Sequence, residues 1–349
     1  MAQQIPHGVD TTVVESRAGL IARSRALQWA SRRARLLAPL TTLLSMVVFF
    51  SLVTDVFLTR QNLQNIVTQI GPVAVAATGI TFVLLCAEID LSIASVATFA
   101  GVISAYFWVG TGLDLGAWGI LVAVVSAAVI GLINGFFVAY VRIPSFMMTL
   151  AMLSIAAGLA IFVSKGRVIS PVPTILRDLG GAGNRVFGMP VIGLVALSSL
   201  VIGDLVLSYT KFGRYVYMTG GNREAAEMSG INTRRIVMYA LMISGLTAGL
   251  AGMLALGRLS SANPSAGGDL LINTIAAVVL GGTSLFGGEG GMKNTLLGLL
   301  IFAVLSNGLN LMPDISFYFK QALQGVILVG ALLLNVVALR LEQVQTHAE

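Results

Sequence analysis

Residues 115–141 read LGAWGILVAVVSAAVIGLINGFFVAYV, with no charge anywhere along the stretch. An α-helix rises 1.5 Å per residue and bilayer hydrocarbon is about 30 Å thick, so roughly 20 apolar residues cross it. This stretch is long enough on its own. Further uncharged runs lie at 37–54, 61–87, 91–113, 143–164, 186–203, 236–257, 270–288, 294–313 and 321–339, each of 18 or more residues. The pattern predicts an all-α, polytopic transmembrane helical bundle of about ten spans. The run at 270–288 stands apart because glycine gathers at its C-terminal end, and it reads as a partly broken helix.

Composition agrees with lipid as the solvent. Apolar residues make up 56% of the chain and charged residues 10%, against roughly 45–50% and about 25% in soluble domains. Mean hydropathy is +0.90. The net charge of +6 does not point to nucleic acid, because the Lys and Arg residues sit in short loops and a tail rather than on one soluble face. Cys86 is the only cysteine, and His7 and His347 lie near the two ends. That excludes a disulfide within the chain and a cysteine cluster, and disfavours a histidine metal site. No cofactor is expected.

Three regions follow: a basic N-terminal tail (1–36), a membrane domain (37–340) and a short C-terminal tail (341–349). Arg17, Arg23, Arg25, Arg32, Arg33 and Arg35 crowd the first. If the N-terminus lies inside and ten spans alternate, 14 basic residues fall inside and 7 outside, which predicts both termini in the cytoplasm. The two longest connections are then an outer loop at 165–189 and an inner loop at 209–235.

The inner loop contains Asn222-Arg223-Glu224-Ala225-Ala226-Glu227-Met228-Ser229-Gly230. Asn222 suits an N-cap, Glu224 favours the positive end of the helix dipole, and Gly230 suits the position just past a helix. A short helix outside the bilayer is expected, either as a solvated connector or as a contact element. Two carboxylates, Glu88 and Asp90, interrupt the apolar runs at Cys86-Ala87-Glu88-Ile89-Asp90-Leu91-Ser92. They are costly near lipid. The segment reads as a tight turn capped by Ser92 or as a functional break. Gly281-Gly282-Thr283-Ser284-Leu285-Phe286-Gly287-Gly288-Glu289-Gly290-Gly291 lacks a following Gly-Lys-Ser/Thr and is no phosphate loop. Asn134, Asn307 and Asn310 sit at membrane depth, where each either lines a pathway or bonds a neighbouring helix. Gly131 and Gly135, and Gly245 and Gly249, are spaced for close helix contact.

These motifs resemble those of ribose-type ABC sugar permeases over residues 40–340. Ile89, Asp90, Leu91, Ser92 and Ser95 match a Gly-Gly-Ile-Asp-Leu-Ser-Val-Gly-Ser motif, with Ala87 and Glu88 in place of the two leading glycines. The stretch 276–291 is similar almost word for word, and Asn307-Gly308-Leu309-Asn310-Leu311 is similar as well. Glu224, Ala225, Ala226, Ser229 and Gly230 resemble the "EAA" coupling loop of importer permeases. The resemblance implies a bacterial inner-membrane subunit forming the pathway for a monosaccharide or related polyol. It implies as partners separate ATP-binding cassette subunits, a periplasmic substrate-binding protein and a second permease subunit, and no enzymatic activity of the chain itself. It implies ATPase coupling through Asn222, Glu224, Ala225, Ala226, Ser229 and Gly230. Candidates for the translocation pathway are Asp90, Ser92, Asn134, Thr283, Ser284, Asn307 and Asn310. A branched-chain amino-acid permease of the same type and an ion-coupled secondary transporter are the alternatives.

Overall fold

The computed structural model describes residues 39–330, apart from 111–116, 171, 173, 182, 266, 314–315, 317, 321, 324 and 327–328. Both expected tails, 1–36 and 341–349, lie outside the described residues, as does most of the run 321–339.

The chain runs through α1 (Pro39–Val53), α2 (Arg60–Leu85), α3 (Ile93–Ala105, extended by a π-helical turn, Tyr106–Gly110) and α4 (Ala117–Phe136, extended by a second π turn, Phe137–Val141). Next come α5 (Ser145–Ser164), the short α6 (Thr174–Gly180), a two-stranded antiparallel hairpin (β1, Arg185–Val186; β2, Met189–Pro190) and α7 (Val191–Tyr209). Two short helices, α8 (Lys211–Gly221) and α9 (Arg223–Met228), precede α10 (Thr233–Leu259), α11 (Gly268–Leu280) and α12 (Met292–Asn310).

Among the described residues, six helices are long and apolar enough to cross a bilayer, and α1, α3 and α11 are shorter apolar helices. Part of the difference from ten spans falls outside the described residues, at 37–38, 111–113 and most of 321–339. The run 91–113 starts helically only at Ile93, after an irregular stretch. The run 186–203 opens with the hairpin, and its helix, one of the six, continues through Asp204 to Tyr209. The run 270–288 is helical only as far as Leu280. Beyond it Gly287 and Gly290 take φ values of +86° and +112°, a region that side-chain-bearing residues rarely adopt.

α2 is the most deeply buried spanning helix, while α4, α5 and α7 are mostly uncovered. Leu121, Val125 and Val129 on α4 and Phe146, Leu150 and Phe162 on α5 are exposed, which in a bilayer is contact with lipid. α10 packs against α2, α3 and α4. The approach depends on glycine: a Cβ at Gly131 of α4 would overlap the carbonyl oxygen of Leu241, and one at Gly245 of α10 would overlap that of Ala127. A Cβ at Gly252 would likewise overlap Ala97 of α3. Small residues let backbones close to a distance at which dispersion, rather than the hydrophobic effect, holds helices together in lipid.

The connections separate into two ends. At one, the Gly288 amide donates to the Leu85 carbonyl (3.1 Å), the Ile89 amide to Ser145 Oγ (3.1 Å) and the Tyr217 hydroxyl to the Gly290 carbonyl (2.9 Å). At the other, Ile169 and Ala262 form an isolated bridge and Gln64 Nε2 donates to the Gly188 carbonyl (3.3 Å).

Gly131→Val should prevent the α4–α10 contact, whereas Gly158→Val on α5, where an added Cβ meets nothing within 4 Å, should be tolerated. Overpacking of this kind costs about 1–3 kcal/mol or more. Melting temperature and monodispersity in detergent should fall for the first variant and not for the second.

Candidate functional site

α2 ends at Leu85, and the chain does not turn directly into α3. Ala87 adopts φ +60°, a left-handed conformation that strains a residue with a Cβ. Glu88 to Leu91 then run without helix. This stretch is not a solvent turn: Cys86, Glu88, Asp90 and Ser92 are all buried. A buried backbone without regular structure must find partners for its amides and carbonyls, and the first turn of α5 supplies them. Ser145 Oγ accepts from the Ile89 amide and Thr149 Oγ1 from the Leu91 amide, each at 3.1 Å. Ser145 and Thr149 are one helical turn apart, so both face the same strip of chain.

Asp90 organises the next layer. Its Oδ1 accepts from the Ser92 amide (2.8 Å) and from the Ser92 hydroxyl (2.6 Å), and its Oδ2 accepts from the Ser244 hydroxyl of α10 (2.6 Å). Asn134 Nδ2 of α4 donates to Ser92 Oγ at 3.0 Å. Three neutral donors thus solvate a carboxylate that is 3% exposed. Asn134 Oδ1 is buried without a protein partner. Ser92 does not cap α3 through its side chain, because its hydroxyl is given to Asp90.

The glycine-rich stretch after α11 lies against the end of α2. The Ser284 amide donates to the Glu289 carbonyl (3.0 Å), Ser284 Oγ accepts from the Phe286 amide (3.1 Å) and the buried Thr283 accepts from the Gly291 amide (3.4 Å). These two hydroxyls hold the shape of the turn. A Cβ at Gly287 would lie 2.7 Å from the Ala87 Cβ. Burial, with Asp204 adding to it, pushes the Tyr217 phenol up, so it stays protonated and donates to Gly290.

α9 forms beside these two segments. Asn222 is its N-cap, with Oδ1 accepting from the Ala225 amide at 3.0 Å, and Glu224 stands exposed in its first turn. Ser229 Oγ donates to the Ala225 carbonyl (2.9 Å), and Gly230 leaves the helix at φ +80°. Ala226 is buried in its own chain, while Ala225 and Met228 are exposed. Arg223, the first residue of α9, donates to Glu88 Oε1 at 2.6 Å. Thr233 at the start of α10 bonds Glu227 (2.5 Å).

The structure therefore joins Asp90, Ser92 and Asn134 in one network and places Thr283, Ser284 and 222–230 at the same end. Asn307 and Asn310 lie elsewhere. Asn307 and Asn62 exchange side-chain amide hydrogen bonds of 2.8 and 3.0 Å at the start of α2, about 35 Å along that helix from Leu85 by the helical rise. Asn310 is exposed at the end of α12, its carbonyl 3.3 Å from Lys320 Nζ. Sequence reasoning missed Ser145, Thr149, Ser244 and the Glu88–Arg223 pair. The i, i+4 spacing of Ser145 and Thr149 after Pro144 was a visible signal, but Ser244 and Arg223 gave none.

A discontinuous segment inside a helical bundle, bonded by side chains of neighbouring helices, is an arrangement found in transporters. The family model described as "Branched-chain amino acid transport system / permease component" matches residues 62–332. The chain belongs to this permease family. The ribose import permease protein RbsC of Escherichia coli (strain K12) is 37% identical over 85% of this chain and 92% of its own length. The corresponding protein of Bacillus subtilis (strain 168) is 35% identical over 86% and 92%. The xylose transport system permease protein XylH of Escherichia coli (strain K12) is 30% identical over 84% and 89%. This permease is a multi-pass membrane protein whose part is transport rather than catalysis.

Asp90→Ala would strand the Ser92 amide and the Ser92 and Ser244 hydroxyls. Each orphaned donor costs about 1–3 kcal/mol, so thermal stability in detergent should fall by about 3 kcal/mol or more. Asp90→Asn, which keeps an acceptor, should lose much less. Equal melting of the two variants would show that the carboxylate's bonds are not what holds the segment.

Proposed function

We propose that this permease is the membrane subunit of an ATP-driven importer and forms the pathway for a monosaccharide or related polyol. The observation that carries the sugar assignment is the identity to ribose and xylose permeases over most of both chains. It favours a sugar over a branched-chain amino acid. In this reading a periplasmic binding protein delivers the sugar, a second permease subunit completes the pathway, and ATP is hydrolysed on separate ATP-binding cassette subunits.

The end of the bundle carrying 86–92, 209–235 and 281–291 faces the cytoplasm. Within the described residues the basic side chains divide evenly, with Arg142, Lys211, Arg214, Arg223, Arg234, Arg235 and Lys293 at this end and seven others at the opposite one. The inward bias comes from the six arginines of residues 1–36 and from Arg340. Both termini are then cytoplasmic. The membrane domain is 37–340, in which the six long helices, the shorter α1, α3 and α11, and the uncharged run 321–339 bring the number of spans to about ten.

α9 is the coupling helix. Its six residues stand outside the spanning helices, rigidly capped at both ends by Asn222 and by Ser229 and Gly230. Glu224 and Ala225 present its open face, while Ala226 seats it on its own bundle. At the inner end the pathway wall is held from within the bundle by the buried Asp90, Ser92 and Asn134 network and completed by the turn shaped by Thr283 and Ser284. Asn307 and Asn310 contribute at the outer end. Hydroxyls and amides suit a neutral sugar.

Glu224→Arg places positive charge at the positive end of α9 and on its exposed face. Co-purification of the ATP-binding subunits should fall, with the permease itself still folded. Uptake of sugar should persist in the presence of a protonophore as long as ATP is supplied. Collapse of uptake under those conditions would overturn the ATP-driven reading in favour of ion coupling.

A further inference from the structure

The Glu88–Arg223 ion pair belongs neither to the Asp90 network nor to the open face of α9, yet it joins the two. Glu88 and Asp90 lie two residues apart on one non-helical segment. The Glu88 side chain is 10% exposed and the Arg223 side chain 48%. One partner is thus fixed in the bundle, and the other is carried on a surface element. α9 packs on α8 and α10, and Thr233 ties its far end to α10 through Glu227. Arg223 reaches from its near end across to Glu88 at 2.6 Å. The contact is a charge-assisted hydrogen bond, directional because the guanidinium N–H points at one carboxylate oxygen.

The segment it grips is poised to respond. Ala87 holds a left-handed conformation, and strain of this kind persists only where the surroundings impose it. The start of the segment is tied back to α2, with the Ala87 amide on the Leu84 carbonyl (2.9 Å) and the Glu88 amide on the Val83 carbonyl (3.1 Å). Beyond those bonds it is held by side chains: Ser145, Thr149 and Ser244, with Arg223 on Glu88 itself. Packed interfaces switch between discrete arrangements rather than deforming smoothly. A shift of α9 that moves the Arg223 guanidinium acts on Glu88 directly and on Asp90 through two residues of chain.

We infer that Arg223 and Glu88 are positioning residues, whose ion pair passes movement of α9 to the buried Glu88–Ser92 segment and its Asp90 network. The inference rests on the importer reading, in which α9 meets the ATP-binding subunits. It adds a specific link between that contact and the polar interior.

Cys86, the chain's only cysteine, is buried two residues from Glu88 and reports on the segment without an engineered label or a known sugar. The complete complex, purified with its ATP-binding subunits in lipid, is labelled with a thiol-reactive maleimide with and without ATP and vanadate. In the wild type, nucleotide should change the labelling rate of Cys86. Glu88→Gln and Arg223→Gln should each lose that dependence while the subunits still co-purify and hydrolyse ATP. The exchanged pair, Glu88→Arg with Arg223→Glu, should recover it, a rescue that a merely structural role would not produce. Single variants that retain wild-type nucleotide dependence would overturn the inference. So would a wild type whose Cys86 ignores nucleotide, or an assembled exchange variant without recovery. Failure of the wild-type permease to co-purify with ATP-binding subunits would instead overturn the importer reading itself.

Discussion

A polypeptide inside a bilayer has no water to complete its hydrogen bonds, so any departure from helix must be satisfied by the protein itself. That constraint shapes this permease most visibly between Leu85 and Ile93. Here α2 stops, the chain runs without helix through a buried region, and α3 begins. Ser145 and Thr149 bond the amides of Ile89 and Leu91, and Asp90 bonds the amide that opens α3. The cost of unwinding is met by side chains from α5 and by the segment's own carboxylate. Removing these partners would leave backbone groups bare, which is why the break is tied to three neighbouring helices.

Close packing makes those ties possible. Ser244 reaches Asp90 only because α10 approaches the core without side chains in the way, and the glycines at 131, 245 and 252 allow that approach. Asn134 reaches Ser92 from α4, whose backbone touches α10 through the same seam. The glycine contacts and the polar network are thus one construction. The seam sets the distance between helices, and that distance puts each hydroxyl within bonding range of a carboxylate that water does not reach.

Glycine has a second use after α11. Left-handed backbone at 287 and 290 folds the chain back under α2, where even a methyl group at 287 would meet Ala87. This brings the 281–291 turn, the 86–92 segment and the α8–α9 loop to one end. Three of the four stretches that resemble importer permeases are far apart in sequence and adjacent in space. Glu88 and Ala87 stand where that motif has glycines. One bears the strained conformation, and the other uses its side chain to hold Arg223.

The sequence alone determined the solvent, the helical class and the short helix at 223–228 with both its caps. Each of these depends on local composition and spacing: uncharged length for a span, Asn222 and Gly230 for the ends of a helix. It also marked Asp90 and Ser92 as out of place in lipid. It did not separate helices that cross fully from those that stop short, because an apolar run looks the same whether its backbone is helical or held by neighbours. Pairing was equally hidden. Asn307 bonds Asn62 across most of the chain, Ser244 finds Asp90, and Arg223 finds Glu88, each at a separation that only packing closes. Chemistry within one turn of a helix was legible, while partners brought together by the fold were decided by the tertiary structure, since hydrogen bonds depend on distance in space and not along the chain.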